Sequence, residues 1–341
     1  MATFVPGWDL AHAFYDEVVG PAVRPTPHAA ALVGTGSDVL GYDTARSTDH
    51  GWGPRMHVFV GEEEVAGLAA SVEAALPPTF RDWPTRYGWD AVPVQSHVVV
   101  TSLGDWLTRH LGFDPRRGVG LLDWLAAPQQ LLLEVTAGPV FHDDGGELAG
   151  VRDRLAWYPD ALWRWLVGCQ WRRLDQKEPF VGRTAEVGDE IGSRVIAARL
   201  VRDLMRLCLL LDRRYAPYTK WLGTAFARLD VAARLGPVLE RTLAATNFPD
   251  REDALVEAFQ VVARHHNEVG LTRPVPTAVG MFHSRPFRVL GSSRFVDACL
   301  EAVDDEWLRS LPPVGAVDQF VDSTDVVSYV ERARLVASLF A

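Results

Sequence analysis

The chain has 341 residues, of which 34 are Lys or Arg and 44 are Asp or Glu, so its formal net charge at pH 7 is −10. Because affinity for nucleic-acid phosphates depends on concentrated Lys and Arg, an acidic chain without a basic run is not expected to bind nucleic acid. The most apolar run, 207–211, is far shorter than the ~20 residues that cross a bilayer, and we therefore expect no membrane partner.

The cysteines indicate a reducing compartment. Cys169, Cys208 and Cys299 are odd in number, widely spaced and set in apolar segments, which is not the pattern of a disulfide framework. The first residues lack the basic stretch and apolar core of a signal peptide. We therefore expect a cytoplasmic protein.

Short apolar runs alternate with helical stretches in the first third of the chain. Val98, Val99 and Val100 are typical of a strand centre, and the acidic run 62–64 suits the start of a helix. The predicted strands cover 29–33, 56–60 and 92–101, and the predicted helices cover 62–76 and 103–111. This alternation predicts a small mixed sheet.

Helical periodicity dominates after residue 115. Apolar residues recur at helical spacing, for example at Trp163, Leu166 and Leu174. The predicted helices cover 159–174, 191–211, 218–229, 231–245, 250–269, 294–303 and 325–339, and a proline-containing loop is predicted over 273–287. We predict an α+β protein with an α/β head over residues 1–115 and an all-helical body over residues 116–341.

The segment between the first two predicted strands carries the clearest chemistry. Gly36 and Ser37 follow the first strand, and Asp49 lies shortly before the second. Backbone N–H groups of a Gly-Ser turn can approach a phosphate closely, and the serine hydroxyl adds a donor. A carboxylate such as Asp49 can hold Mg²⁺ against phosphates, and the Arg55 guanidinium suits an anionic group.

Two linked motifs extend this segment. They read Gly36-Ser37-x-Val39-Leu40-Gly41-Tyr42-Asp43 and Ser47-x-Asp49-His50-x-Trp52-Gly53-Pro54-Arg55. Further characteristic strings are spread over nearly the whole chain, at 137–143, 170–171, 179–183, 188–193, 202–207, 216–224 and 318–320. The chain resembles a bacterial family of uncharacterised nucleotidyltransferase-like proteins within the polymerase-β-like nucleotidyltransferase superfamily. The resemblance implies a nucleotidyltransferase-like head.

The acid pattern of that superfamily is incomplete in this chain. The superfamily has Asp-x-Asp or Asp-x-Glu after the Gly-Ser turn and a third carboxylate on a later strand. Here the second acid position, two residues after Asp49, is Gly51, and the strand segment 96–100 holds no carboxylate. Two-metal phosphoryl transfer needs several oxygen ligands, so the implied cofactor is either weakly held Mg²⁺ with a nucleoside triphosphate or none.

The residues selected for a site come from both halves of the chain. Asp49 and His50 are the catalytic candidates, and Asp49 is also the one candidate metal ligand. The candidate phosphate ligands are Gly36, Ser37, Arg55, Arg183 and Lys220. Lys220 stands out because this chain has two lysines, Lys177 and Lys220, among its 34 basic residues.

Each of these residues also has an ordinary structural interpretation. Gly36 and Ser37 can form a tight turn only, Asp49 can cap the following turn, and His50 and Lys220 can be surface residues. The strings 142–144 and 265–268 combine histidine with acidic residues. Neither has a recognised metal-ligand spacing, so we interpret them as loop and helix-end chemistry.

Three functions follow as hypotheses. The first is an enzyme that transfers a nucleoside monophosphate from a nucleoside triphosphate to a small polar acceptor. The second is a repurposed family member that catalyses a metal-independent step in metabolite or natural-product biosynthesis, with His50 and Asp49 as acid and base. The third is a non-catalytic nucleotide-binding protein. All three expect a small-molecule ligand, and the oligomeric state stays open.

Overall fold

The protein is an α+β protein in the computed structural model, which describes residues 3–340. The chain divides into two compact units. The first contains the described residues up to Asp123, with Gln130–Ala156 and Ser328–Leu335; the second contains Trp124–Gln129, Trp157–Val327 and the described residues from Val336 onward. This division differs from the predicted boundary at residue 115, because the first unit also takes in later segments.

The strands are short. In chain order they are β1 (Ala29–Ala31), β2 (Met56–Phe59), β3 (Thr79–Phe80), β4 (Trp83–Pro84), β5 (Arg86–Trp89), β6 (Val92–Ser96), β7 (Val98–Thr101), β8 (Val140–Asp143), β9 (Gly280–Met281) and β10 (Arg288–Val289). Four of them form the sheet of the first unit, in the order β7-β2-β1-β8.

This sheet is mixed, as predicted. β1 is antiparallel to both β2 and β8, whereas β2 and β7 are parallel, with Met56 opposite Val98. β8 is not predicted from the sequence, because His142 and Asp143 make half of that strand polar. The main sequence signal for a strand is an alternation of apolar and polar residues, and β8 lacks it.

The predicted strand over 92–101 is divided in two. Its first half, β6, pairs with β5 as an antiparallel hairpin, and its second half, β7, joins the main sheet. The division falls at Ser96 and His97. The Ser96 hydroxyl accepts a hydrogen bond from the Val98 N–H at 3.2 Å, and His97 Nε2 lies 2.8 Å from the Tyr87 carbonyl oxygen.

The core of the first unit forms around β1, all of whose residues are buried. Phe14, Tyr15, Met56 and Val58 are almost completely removed from solvent and belong to one apolar cluster. Burial of such side chains stabilises the fold by ~1.5–3 kcal/mol each. The sheet therefore has a fixed central strand whose two ends lead into loops.

The helices are most numerous after β8. In chain order they are α1 (Gly7–Phe14), α2 (Gly20–Val23), α3 (Val65–Ala75), α4 (Leu103–Leu111), α5 (Leu121–Ala126), α6 (Gln129–Thr136), α7 (Glu147–Arg154), α8 (Asp160–Asp175), α9 (Phe180–Glu186), α10 (Glu190–Leu211), α11 (Thr219–Ala227), α12 (Ala232–Ala244), α13 (Phe248–Val269), α14 (Ser293–Glu301), α15 (Glu306–Ser310), α16 (Val317–Phe320), α17 (Thr324–Val327) and α18 (Val330–Leu335).

Among its described residues, the second unit has one short ladder besides its helices, in which β9, inside the predicted loop over 273–287, pairs with β10 directly after that loop. Its core includes Trp165 and Trp171 of α8, both fully buried. Arg251 of α13 is buried and donates to both carboxylate oxygens of Glu190, each at 2.9 Å. The predicted last helix over 325–339 is divided into α17 and α18. Within residues 3–340, every helix is too short or too polar to cross a membrane.

We predict that Gly138→Ala destabilises the first unit by ~1–3 kcal/mol, the usual cost of overpacking. A Cβ at Gly138 would overlap the carbonyl oxygen of Leu32, which is backbone and cannot move aside. The measurement is the free energy of unfolding in urea. Gly150→Ala is the matched control, because α7 has open space at that position. It is expected to stabilise the helix by ~0.5–1 kcal/mol, and equal destabilisation by both changes would contradict the packing argument.

Candidate active site at the turn after strand β1

The chain turns sharply after β1, where the sequence predicts a phosphate-binding turn. Gly34 has a φ of +87° and Gly36 a φ of +149°, conformations that side chains disfavour. The Gly34 N–H donates to the Glu134 carbonyl oxygen at 2.8 Å, and the Tyr42 N–H donates to the Ser37 carbonyl oxygen at 2.8 Å. These bonds hold the turn in one conformation.

A buried ion pair lies against the turn. The Arg55 guanidinium donates to both carboxylate oxygens of Asp38, at 2.8 Å through Nε and 2.7 Å through Nη2, and Nη2 also donates to the Thr35 carbonyl oxygen at 2.8 Å. The Asp38 side chain is only 3% exposed. A Cβ on Gly36 would overlap both partners of the pair, so glycine is required there. The Arg55 guanidinium therefore lies beside Gly36 and is engaged by Asp38 and Thr35 within the protein, and its role as a phosphate ligand stays a prediction.

A second buried carboxylate, that of Glu134, lies beside the same turn. It accepts hydrogen bonds from Thr35 Oγ1 at 3.3 Å and from Gln130 Nε2 at 2.8 Å, and His110 Nε2 is 3.2 Å from its Oε2. Burial raises the pKa of Glu134 against the opposing effect of these hydrogen bonds. Burial also lowers the pKa of His110 to about 4, which keeps that imidazole neutral near pH 7.

His57 of β2 belongs to the same group of titratable side chains. Its ring lies 5.9 Å from that of Phe59 and 5.4 Å from that of Trp106. Burial lowers the pKa of His57 to about 3, and the nearby positive charge of Arg55 adds to this shift. His57 is therefore a neutral packing residue at neutral pH.

The two catalytic candidates lie on the surface of the loop that precedes β2. Asp49 ends a 3₁₀ turn over Ala45–Asp49 and is exposed. Among residues 3–340, its carboxylate has neither a hydrogen bond nor an ion pair. His50 is exposed as well, with Nδ1 3.5 Å from Asp90 Oδ2 and its ring edge-on to Trp89.

The β5–β6 hairpin covers the other side of this loop with aromatic rings. The Tyr87 ring lies so close to Gly53 that a Cβ there would be 2.7 Å from Tyr87 Cε1. The Trp89 indole lies over Gly51 in the same way, 3.3 Å from the position of a Cβ. Burial raises the pKa of Tyr87. The two glycines are therefore explained by close ring packing.

Arg183 and Lys220, the remaining phosphate candidates, are residues of the second unit. Arg183 of α9 has its guanidinium 5.5 Å from the centre of the Phe180 ring. Lys220 of α11 is exposed, with Nζ 5.0 Å from the centre of the Trp221 ring. These are cation–π contacts within one unit, and a phosphate-binding role for either residue remains a prediction.

Four residues around the loop are not predicted from the sequence: Asp38 as the partner of Arg55, Glu134 and His110 beside Thr35, and Asp90 beside His50. Asp38 carries a usable signal, because it directly follows a Gly-Ser turn in a chain segment that also contains an arginine. Glu134 and Thr35 are separated by 99 residues. No local pattern connects residues that far apart.

Three comparisons with known proteins give limited information. A family model described as "Domain of unknown function (DUF4037)" matches residues 124–222, which is less than a third of the chain. No curated protein matches. A crystal structure described as a nucleotidyltransferase-like protein from Exiguobacterium sibiricum 255-15 is similar over 88% of this chain and 90% of that chain, with 14% identity and a TM-score of 0.32. Such a TM-score does not establish a shared fold.

We predict that Arg55→Met destabilises the first unit by ~3–5 kcal/mol, because it leaves the buried Asp38 carboxylate without a partner. Arg86→Met is the control, since Arg86 pairs with Glu73 at 2.7 Å on the surface and exposed pairs contribute ~0–1 kcal/mol. Adding Asp38→Asn to Arg55→Met should recover part of the loss. Urea unfolding of the four proteins measures these differences, and a small effect of Arg55→Met alone would refute the argument.

The shifted histidines predict a pH dependence of stability. The pKa of His57 is about 3 in the folded protein and ~6.5 in an unfolded chain. The unfolded chain therefore binds more protons between these values, and the free energy of unfolding falls as the pH falls through that range, by up to ~1.4 kcal/mol per pH unit for each such group. We expect His57→Phe to flatten this dependence in urea unfolding between pH 7 and pH 4.5, whereas His12→Gln, an exposed site, should leave it unchanged. Parallel profiles for the two variants would contradict the assignment.

Proposed function

We propose that the protein is an enzyme that modifies a small polar metabolite and binds an anionic, phosphate-like group of its substrate at the turn of Gly36 and Ser37. In this proposal His50 and Asp49 are the acid and base, and the chain itself holds no catalytic Mg²⁺. Two features support the anion site: backbone N–H groups of the Gly-Ser turn can donate to an anion, and the Ser37 hydroxyl adds a donor.

The observation that carries this proposal is which carboxylates between β1 and β2 are already hydrogen-bonded within the protein. Asp38 is taken by Arg55. Asp43 Oδ2 accepts hydrogen bonds from the Gly7 N–H at 2.7 Å and from Trp52 Nε1 at 2.9 Å. Both acids thus stabilise the fold, and Asp49 is the remaining loop carboxylate that can face a ligand.

The residues at the other expected acid positions do not supply metal ligands. Gly51 has a φ of +62° and packs under Trp89, and Val99 is apolar and 41% exposed. Mg²⁺ requires near-octahedral oxygen coordination. This donor set does not fit a two-metal centre, and we derive no catalytic step through Mg²⁺.

The surroundings of His50 support a role as general acid. Its side chain is 57% exposed, so a substrate can reach the imidazole. The Asp90 carboxylate lies 3.5 Å from Nδ1, and a carboxylate at that nitrogen can orient the ring so that the Nε2 N–H faces the substrate. Asp49 precedes His50 directly, and its exposed carboxylate would supply the base.

The second candidate is transfer of a nucleoside monophosphate from a nucleoside triphosphate to a small polar acceptor. It is favoured by the sequence strings that resemble the nucleotidyltransferase-like family along the whole chain. In that case Gly36 and Ser37 contact the triphosphate, and its own oxygens and water complete the coordination of Mg²⁺. The two candidates differ in whether ligand binding requires the metal.

A thermal-shift experiment separates these functions. We expect inorganic phosphate or ATP to raise the melting temperature without Mg²⁺, because a ligand at 100 times its Kd adds ~2.7 kcal/mol of stability. Stabilisation only by ATP and Mg²⁺ together would instead favour nucleotidyl transfer. If neither phosphate nor ATP changes the melting temperature, with or without Mg²⁺, the anion-binding turn is refuted.

Two serine variants test the location of the anion. Ser37→Leu should abolish the ligand-induced shift with little change in the melting temperature of the ligand-free protein. Ser71→Leu is the matched control, because Ser71 lies exposed on α3, where its hydroxyl bonds only the Gly67 carbonyl oxygen. An unchanged shift in Ser37→Leu would place the ligand elsewhere.

A further inference from the structure

Two histidines and an aspartate converge at the start of β1, at the opposite end of that strand from the Gly-Ser turn. The ladder between β1 and β8 sets Ala29 opposite Asp143. One step beyond it, the His28 N–H donates to Asp144 Oδ2 at 3.0 Å, and the Asp144 N–H donates to the His28 carbonyl oxygen at 3.1 Å. His142, inside β8, lies on the same side of this ladder end.

The side chains of these three residues are within the reach of one metal ion. Ligand atoms of His28, His142 and Asp144 all lie within 4.8 Å of one another. His142 Nε2 is 2.8 Å from Asp144 Oδ1, and His28 Nδ1 is 3.8 Å from Asp144 Oδ2. The two imidazole rings are stacked, with centres 4.4 Å apart. The sequence interpretation of 142–144 as loop chemistry could not include His28, which lies more than a hundred residues earlier.

A cavity of about 480 Å³ opens beside the cluster, and His28 and Asp144 form part of its wall. Several more carboxylates line it, and one arginine is present: Glu62, Glu63, Asp143, Glu147 and Arg116. The acidic wall attracts a cation, and the cavity leaves room for water or a ligand at an open coordination position.

We propose that His28, His142 and Asp144 form a binding site for a divalent transition metal ion of the zinc type. Two imidazoles and one carboxylate, with a further position open to a cavity, form the ligand pattern of non-structural zinc sites. Mg²⁺ and Ca²⁺ prefer oxygen ligands throughout and do not match two imidazoles. The site lies at the other end of β1 from Gly36 and Ser37, so it is independent of the function proposed for that turn.

The surroundings of His28 supply an outer contact for a metal-bound imidazole. Its Nδ1 lies 2.8 Å from the Thr26 carbonyl oxygen, and its Nε2 lies 2.9 Å from the Tyr15 hydroxyl. In the protein without metal, Nδ1 carries the proton and donates it to Thr26. For Nδ1 to hold an ion, the hydrogen bond to Thr26 would break and the proton would move to Nε2, which would then donate to the Tyr15 oxygen. A ligating histidine usually donates its second ring N–H in this way.

The test is a zinc titration of the full chain after treatment with a chelator. Calorimetry should give one ion per chain with a rise in melting temperature. His142→Gln and Asp144→Asn should each weaken zinc binding by at least ~10–100-fold. That is the loss typical when a residue that only hydrogen-bonds to a metal ligand is replaced, and these two residues are the proposed ligands themselves. Asp144→Asn keeps an oxygen that can accept the His28 N–H, so its folding is expected to be preserved.

Two further measurements make the result decisive. His12→Gln is the matched control, because His12 and Asp16 form an exposed pair, 3.5 Å apart, that could bind zinc loosely; this variant should bind zinc as the unmodified protein does. Co²⁺ should give visible absorption bands of a low-coordinate site that disappear in His142→Gln. Absence of stoichiometric zinc binding, or equal binding by the folded His142→Gln and His12→Gln variants, would overturn the proposal.

Discussion

The ion pair between Asp38 and Arg55 is the constraint on which the candidate active site depends. A carboxylate and a guanidinium removed from water stabilise each other only when their hydrogen bonds are satisfied, and both oxygens of Asp38 are satisfied by Arg55. The pair fastens the segment after β1 to the residue that precedes β2. It also accounts for Gly36, because a side chain at that position would occupy the space of the guanidinium.

The same pairing decides which chemistry the loop can perform. A carboxylate that accepts two charged hydrogen bonds is not available to a metal ion, and Asp43 is likewise committed to Trp52 and Gly7. Two of the three carboxylates between β1 and β2 therefore stabilise the loop, and Asp49 is left exposed. A loop whose buried carboxylates are engaged in this way does not offer the several oxygen ligands that a two-metal centre needs.

Local signals predicted much of the fold. The helix over 103–111 is confirmed as α4, because Ser102 caps its first turn and Gly112 ends it in a left-handed conformation. The long helices α8, α10 and α13 follow their apolar periodicity to within two residues at each end. β8 and the division of 92–101 were not predicted, since each depends on which distant strand the segment pairs with.

The candidate site was less predictable for the same physical reason. Gly36 and Arg55 belong to the same loop segment of the sequence, and the Arg55 guanidinium lies beside Gly36. Glu134 reaches Thr35 from α6, and His28 meets Asp144 across a ladder that joins the beginning of the chain to its middle. Contacts of that kind arise from strand pairing, which sequence periodicity does not specify.

The buried strand β1 lies between two groups of titratable side chains and has no titratable side chain of its own. Its three alanines are fully enclosed, and hydrogen bonds on both sides fix its backbone. A close-packed interior has low compressibility and transmits strain, so a displacement at one end of β1 passes along the strand rather than being absorbed. The Gly-Ser turn and the His28 cluster use different ligand groups, but a substitution that shifts β1 is expected to change both.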